Sequence, residues 1–138
     1  MSDSSGNSMN DSKLTLSILE GRFAICRLKA SAEAPRLSLN EDLFSITRTR
    51  DELSIVCSEE GAPEGERCEK GWQCLKVEGP LDFSMTGVMA SLAVPLAQAG
   101  VSIFTVSTFD TDYLLVKETD IERAVLALSA AGHSVQQR

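Results

Sequence analysis

Val101-Ser102-Ile103-Phe104-Thr105-Val106-Ser107-Thr108-Phe109-Asp110-Thr111-Asp112-Tyr113 is an apolar strand that runs into a polar bend and comes back. The return continues as Tyr113-Leu114-Leu115-Val116-Lys117, so Val101 to Thr108 and Tyr113 to Lys117 read as a hairpin. Aspartate side chains bond nearby backbone amides, which suits Asp110 and Asp112 to the bend. The same bend exposes two carboxylates in a position to recognise a ligand.

Upstream, Val88, Leu92, Leu96 and Ala99 recur at three- and four-residue steps and predict a helix with one apolar face, starting near Gly87. Asp82 and Ser84 are candidate N-caps, and Gly100 supplies a left-handed stop. Pro95 falls inside the pattern, where it removes one hydrogen bond and bends the last turn. Before the helix, Trp72 to Val77 alternates as a strand that Gly79-Pro80 ends. Downstream, Thr119-Asp120-Ile121-Glu122 has the form of a capping box. The helix it opens buries Ile121, Ala124, Val125 and Leu128 and stops near Gly132, leaving His133-Ser134-Val135 for a short last strand. The C-terminal half thus reads βαββαβ, with both helices on one side of an antiparallel sheet: an α+β, ferredoxin-like unit over residues 71–138.

Residues 13–70 read as a reduced version of the same plan. Leu14, Leu16 and Ile18 alternate, Phe23-Ala24-Ile25-Cys26-Arg27-Leu28 follows, and Leu43 to Thr47 and Leu53 to Cys57 flank a polar bend as a hairpin. No amphipathic run is long enough for a full helix. Ser58 to Lys70, with Gly61, Pro63, Gly65 and five glutamates, reads as an acidic linker. Residues 1–12 are Ser, Asn, Gly and Asp with almost nothing apolar, the composition of a disordered tail.

A chain of 138 residues with 43% hydrophobic content builds one compact unit or two small ones sharing a core. Its net charge of −7 opposes binding to a nucleic-acid backbone or an anionic membrane. No run reaches the roughly 18 apolar residues of a membrane span, and no signal-peptide core is present, which places the protein in the cytoplasm. Cys26, Cys57, Cys68 and Cys74 are then expected as free thiols, acting as small buried hydrophobes. With no Cys-x-x-Cys and His133 as the single histidine, neither a metal site nor another cofactor is expected. The absence of a nucleophile–base pair removes the anchor for a catalytic reading.

The segments Gly79-Pro80-Leu81-Asp82-Phe83-Ser84-Met85-Thr86-Gly87-Val88, Pro95-Leu96-Ala97, Ser107-Thr108-Phe109 and Asp112 through Glu118 resemble an ACT domain. More narrowly, the chain is similar to small bacterial tandem-ACT proteins and to the ACT modules of animal cytosolic arginine sensors, which share a Ser-Thr-aromatic-x-x-Asp pattern. The likeness covers Trp72 to His133, with a weaker extension into the first half through Leu43 to Thr47 and Ser58-Glu59-Glu60. It implies a regulatory protein without catalysis that binds a small effector, an amino acid above all, and pairs as a homodimer. It carries a ligand role onto Thr86, Gly87, Val88, Thr108, Phe109 and Asp112. Met85 departs from the sensors, which present an acidic residue there, so the ligand's identity stays open. The alternative is an ACT-like protein–protein interaction module that has lost its ligand site.

Physical chemistry makes the same residues sensible. Unpaired amides at a helix start offer donors to the carboxylate of an amino acid, and Gly87 leaves that backbone open. Asp112 and the Thr108 carbonyl supply acceptors for an ammonium, while Phe109 covers an apolar stem. Each residue also has a plainer reading. Gly87 serves equally as a close-packing glycine between helix and sheet, Asp112 as a turn former and Phe109 as a core side chain. His133 reads as a dipole-matched or solvent-facing residue.

Overall fold

A computed structural model of the chain describes residues 13–36, 41–63, 67–79, 81 and 86–137. The tail at 1–12, the candidate caps Asp82 and Ser84, Met85, and Glu64 to Glu66 of the linker lie outside the described residues. Two compact units are present. Residues 13–19 and 74–137 belong to one, and Glu20–Gln73 is the other.

The Glu20–Gln73 unit is built from strands. β2 (Phe23–Leu28) runs antiparallel to β4 (Leu53–Ser58) over its whole length, and β3 (Ser45–Arg48) pairs with the other edge of β4. The β3–β4 bend closes through Thr49, whose amide donates to the Glu52 carbonyl at 2.9 Å and whose Oγ1 accepts the amides of Asp51 and Glu52. Alternation puts Ala24, Cys26 and Leu28 on the same face as Leu53, Ile55 and Cys57, which form the core. Among the described residues this unit has no α-helix; after a 3₁₀ turn at Glu59–Gly61 the chain enters β5 (Arg67–Val77).

β5 starts earlier than its composition suggests. Arg67, Glu69 and Lys70 read as linker because they are charged and exposed, yet all three are strand residues, and Arg67 and Glu69 pair with Arg27 and Ile25 of β2. Cys68 in that segment stands opposite Cys26 in the register, and the two form a disulfide. The expectation of four free thiols is therefore corrected: adjacent strands bring two cysteines that are far apart in sequence to one position, and only Cys57 and Cys74 are free, both buried.

The second unit is the predicted βαββαβ arrangement with one strand added. Leu75 to Val77 of β5 lead through α1 (Val88–Gln98), β6 (Phe104–Ser107), β7 (Asp112–Lys117) and α2 (Ile121–Ala130) to β8 (Ser134–Gln137). β6 pairs with β7 and β7 with β5. β1 (Thr15–Ile18) lies between β5, to which it is antiparallel, and β8, to which it is parallel. The expected grouping of Lys13 to Leu19 with the first half differs here: those residues serve the sheet of the helical unit.

Both helices cover one face of that sheet. Leu92, Leu96, Ala124 and Leu128, all fully buried, pack on Leu16, Leu75, Val77, Leu114 and Val116. Burying a leucine side chain in this way contributes on the order of 2 kcal/mol. Gly100, at φ 75°, ends α1 as expected, with the Val101 amide reaching back to the Leu96 carbonyl at 2.9 Å. The capping box does not form. Thr119 lies in a 3₁₀ turn, Glu118–Asp120, and the residue preceding α2 is Asp120, which makes no side-chain cap and instead accepts from Arg123 at 3.1 Å.

Candidate functional site

The sequence points to two places in the helical unit, the start of α1 and the β6–β7 turn. At the helix start, Gly87 has φ 78° and a Cβ added to it would meet nothing within 4 Å. It is therefore not a packing glycine. A left-handed backbone calls for glycine here, and with no side chain it cannot cap the helix. Its carbonyl accepts the Ser91 amide at 2.9 Å, the first bond of the helix. Thr86 and Gly87 are exposed, while Val88 turns into the core. Of the three, only Thr86 and the backbone around Gly87 face solvent.

Four residues, Thr108 to Thr111, make the turn between the paired ends Ser107 and Asp112. The Thr108 amide and hydroxyl both donate to the Thr111 carbonyl, at 2.9 and 3.0 Å, so the Thr108 side chain holds the turn. Phe109 is 79% exposed, which removes it from the core. Asp112 is half-buried at the first position of β7. Thr108, Phe109 and Asp112 are thus brought together on one turn.

The turn is fastened to the segment leading toward α1 by contacts that sequence reading missed. Thr111 is buried, and its hydroxyl donates to the Val77 carbonyl at 2.6 Å. The Leu81 amide donates to the Asp110 carbonyl at 2.7 Å. Gly79 makes this approach possible: a Cβ there would lie 2.9 Å from the Leu81 amide nitrogen and 3.4 Å from the Asp110 oxygen. The close-packing glycine is Gly79, and its one signal in sequence is its place before a proline at a strand end. The β5–α1 connection and the β6–β7 turn are neighbours at Leu81 and Asp110. α1 begins at Val88, seven residues after Leu81.

His133 is buried, contrary to the solvent-facing reading. Its Nδ1 accepts the Leu14 amide at 3.1 Å, so the proton sits on Nε2, which donates to the Ser91 carbonyl at 3.0 Å. That carbonyl is the one Pro95 cannot reach, since proline has no amide hydrogen for the residue four positions back. The imidazole replaces the missing helical donor and ties α1 to the start of β1.

A different feature lies in the Glu20–Gln73 unit. A cavity of about 520 Å³ is lined by Glu20, Arg22, Glu41, Asp42, Ser58 and Glu60 among others. Glu41 accepts the Ser58 amide at 2.8 Å. Burial, and then the Glu41 carboxylate, push the neighbouring Cys57 thiol up to about 11. Carboxylates outnumber the single guanidinium, so the cavity repels anions.

A ferredoxin-like sheet with two helices on one face, and a turn clasped beside the approach to the first helix, define an α+β domain of the ferredoxin-like class. Residues 67–130 match the ACT domain family, and residues 21–65 match a separate N-terminal domain family. The chain is 44% identical to Atu0741 of Agobacterium tumefaciens, whose crystal structure it matches with a TM-score of 0.84 over 91% of this chain and 94% of that one. It is 30% identical over 97 residues to the bovine (Bos taurus) protein named cytosolic arginine sensor for mTORC1 subunit 1, covering 62% of this chain and 30% of the sensor. A human relative, CASTOR3P, is 33% identical over 100 residues, 63% of this chain and 61% of its own length. The chain thus spans less than two thirds of these curated relatives. The regulatory subunit of aspartate kinase from Thermus thermophilus shares the fold alone, at 12% identity and a TM-score of 0.54 over 80% of this chain and 91% of that one. Among the described residues no helix is long and apolar enough to cross a membrane.

Proposed function

We propose that the chain is a non-catalytic regulatory protein that binds a small zwitterionic effector, an amino acid, at the α1 start and the β6–β7 turn of its ACT domain. The observation that carries this reading is the clasp of Leu81 on Asp110, which holds the turn bearing Asp112 beside the connection to the helix that follows Gly87. In this reading the amides around Thr86, Gly87 and Val88 receive the ligand carboxylate, helped by the positive end of the helix dipole. Asp112 and the Thr108 carbonyl receive the ammonium, and Phe109, exposed in the free protein, covers the stem. The names of the sensor relatives support an amino acid as the ligand class, and a cytoplasmic homodimer is the corresponding assembly.

A thermal-shift screen of the full chain against the standard amino acids and purines, at millimolar concentration, tests this. Ligand at a hundred times its Kd stabilises the folded state by about 2.7 kcal/mol, a shift of several degrees. No shift with any compound leaves the interaction module as the function.

A further inference from the structure

We propose that Cys26 and Cys68 are a redox-active pair, a site of thiol–disulfide exchange with small thiols, and that the link controls the order of the first residues of β5. The two sulfurs have unequal surroundings. Cys26 is 1% exposed and packs with Ala24, Leu28, Leu53 and Ile55. Cys68 is half-buried between exposed Arg67, Glu69 and Lys70, so an external thiolate reaches the bond from the Cys68 side.

The exchange balances with a glutathione-type thiol. Its thiolate attacks Cys68 Sγ, a mixed disulfide forms, the Cys26–Cys68 bond breaks, and Cys26 leaves as a thiolate that takes a proton from water. A second thiolate then attacks the mixed disulfide. Cys68 leaves and is protonated, and the small disulfide departs. Two thiols are oxidised and the protein disulfide is reduced; the small disulfide runs the sequence backward. The reduced Cys68 thiol has an acceptor waiting, since the Pro63 carbonyl lies 3.6 Å from its sulfur. Cys57 and Cys74 are both buried and do not compete for the reagent.

The consequence is local. Along 67–70 only Cys68 is not exposed, so the covalent link adds the one apolar anchor to the β2 pairing of Arg67 and Glu69 at this end of β5. Farther on, Trp72 is buried opposite Phe23 and stays paired without it. The chain entering this end of β5 comes from Glu60 and Gly61, which line the acidic cavity, so the redox state bears on one wall of that cavity.

The full chain, equilibrated in glutathione buffers from fully reduced to fully oxidised, is quenched with N-ethylmaleimide and mapped by peptide mass spectrometry, with hydrogen exchange followed at both ends. Cys26 and Cys68 are expected to convert together and reversibly in the folded protein while Cys57 and Cys74 stay unlabelled. Amides of 67–70 are expected to exchange at least about tenfold faster in the reduced form. Three outcomes overturn the proposal: a pair that alkylates even in oxidised glutathione, a bond that resists millimolar reduced glutathione in the folded protein, or exchange at 67–70 that is the same in both states. Cys68→Ser is expected to exchange like the reduced protein in either buffer. The titration on the unaltered chain decides the question even where that variant folds poorly.

Discussion

Replacing His133 by alanine removes both ends of the bridge between the Leu14 amide and the Ser91 carbonyl. Each of these part-buried hydrogen bonds contributes about 1 kcal/mol and the packing lost with the ring adds to them, so the variant is expected to lose about 2–4 kcal/mol. That is a large part of the roughly 5–15 kcal/mol that holds a small domain together. The size of the loss alone would not identify its cause, because removing any buried ring also leaves a cavity. Pro95→Ala does identify it. Alanine at 95 regains an amide hydrogen that reaches the Ser91 carbonyl within the helix, so His133→Ala should cost about 1–1.5 kcal/mol less in that background. Urea unfolding of the four proteins of this cycle, in one fixed redox buffer, measures the coupling. Additivity within about 0.5 kcal/mol would refute the idea that the imidazole stands in for the missing amide.

Thr111→Val keeps shape and loses the bond to the Val77 carbonyl; a loss of about 1–2 kcal/mol by urea unfolding is expected, and an unchanged midpoint would show that the clasp contributes nothing. Gly79→Ala forces apart atoms that would lie 2.9 Å away and is expected to cost more, about 1–3 kcal/mol, than Gly87→Ala, where only the left-handed backbone resists and about 1 kcal/mol is lost; the reverse order would contradict the assignment of the two glycines. Because the folded Cys57 thiol is raised from 9.0 to about 11, the native state holds its proton more tightly than the unfolded chain. Stability from this group is complete below pH 9 and falls as pH rises toward 11, so urea midpoints should decline less steeply over that range in Cys57→Ala. If an amino acid binds, Asp112→Asn should weaken it by about 1–3 kcal/mol in calorimetry, and unchanged affinity would take Asp112 out of the site.

The elements legible in sequence were those set by local period and by glycine. Val88, Leu92 and Leu96 mark the buried face of α1, and Gly100 and Gly132, both at positive φ, stand where the helices stop. The hairpin turn was legible from Asp110 and Asp112 between two apolar runs, although the side chain that holds it is that of Thr108. Three things were hidden because they depend on partners distant in the chain. Alternation at Leu16 and Ile18 announces a strand but not that its neighbours are β5 and β8. Charge at Arg67, Glu69 and Lys70 looks the same in a solvated linker and on the exposed side of a strand. Thr119 satisfies a capping pattern that the 3₁₀ turn pre-empts. Sequence reading named the two segments that carry the six candidate residues, while the contacts that hold the β6–β7 turn beside Val77 and Leu81, through Thr111 and Gly79, show only in three dimensions.

The position of β1 governs the order in which this chain is able to fold. During synthesis Thr15–Ile18 leaves the ribosome before either of its neighbours, and its parallel partner Ser134–Gln137 leaves after the whole Glu20–Gln73 segment. The Glu20–Gln73 unit has all of its pairings available while that early strand is still waiting. The helical unit therefore closes only after the Glu20–Gln73 segment has been made, and the chain that joins β1 to its partners is an effectively shorter loop once that segment has folded.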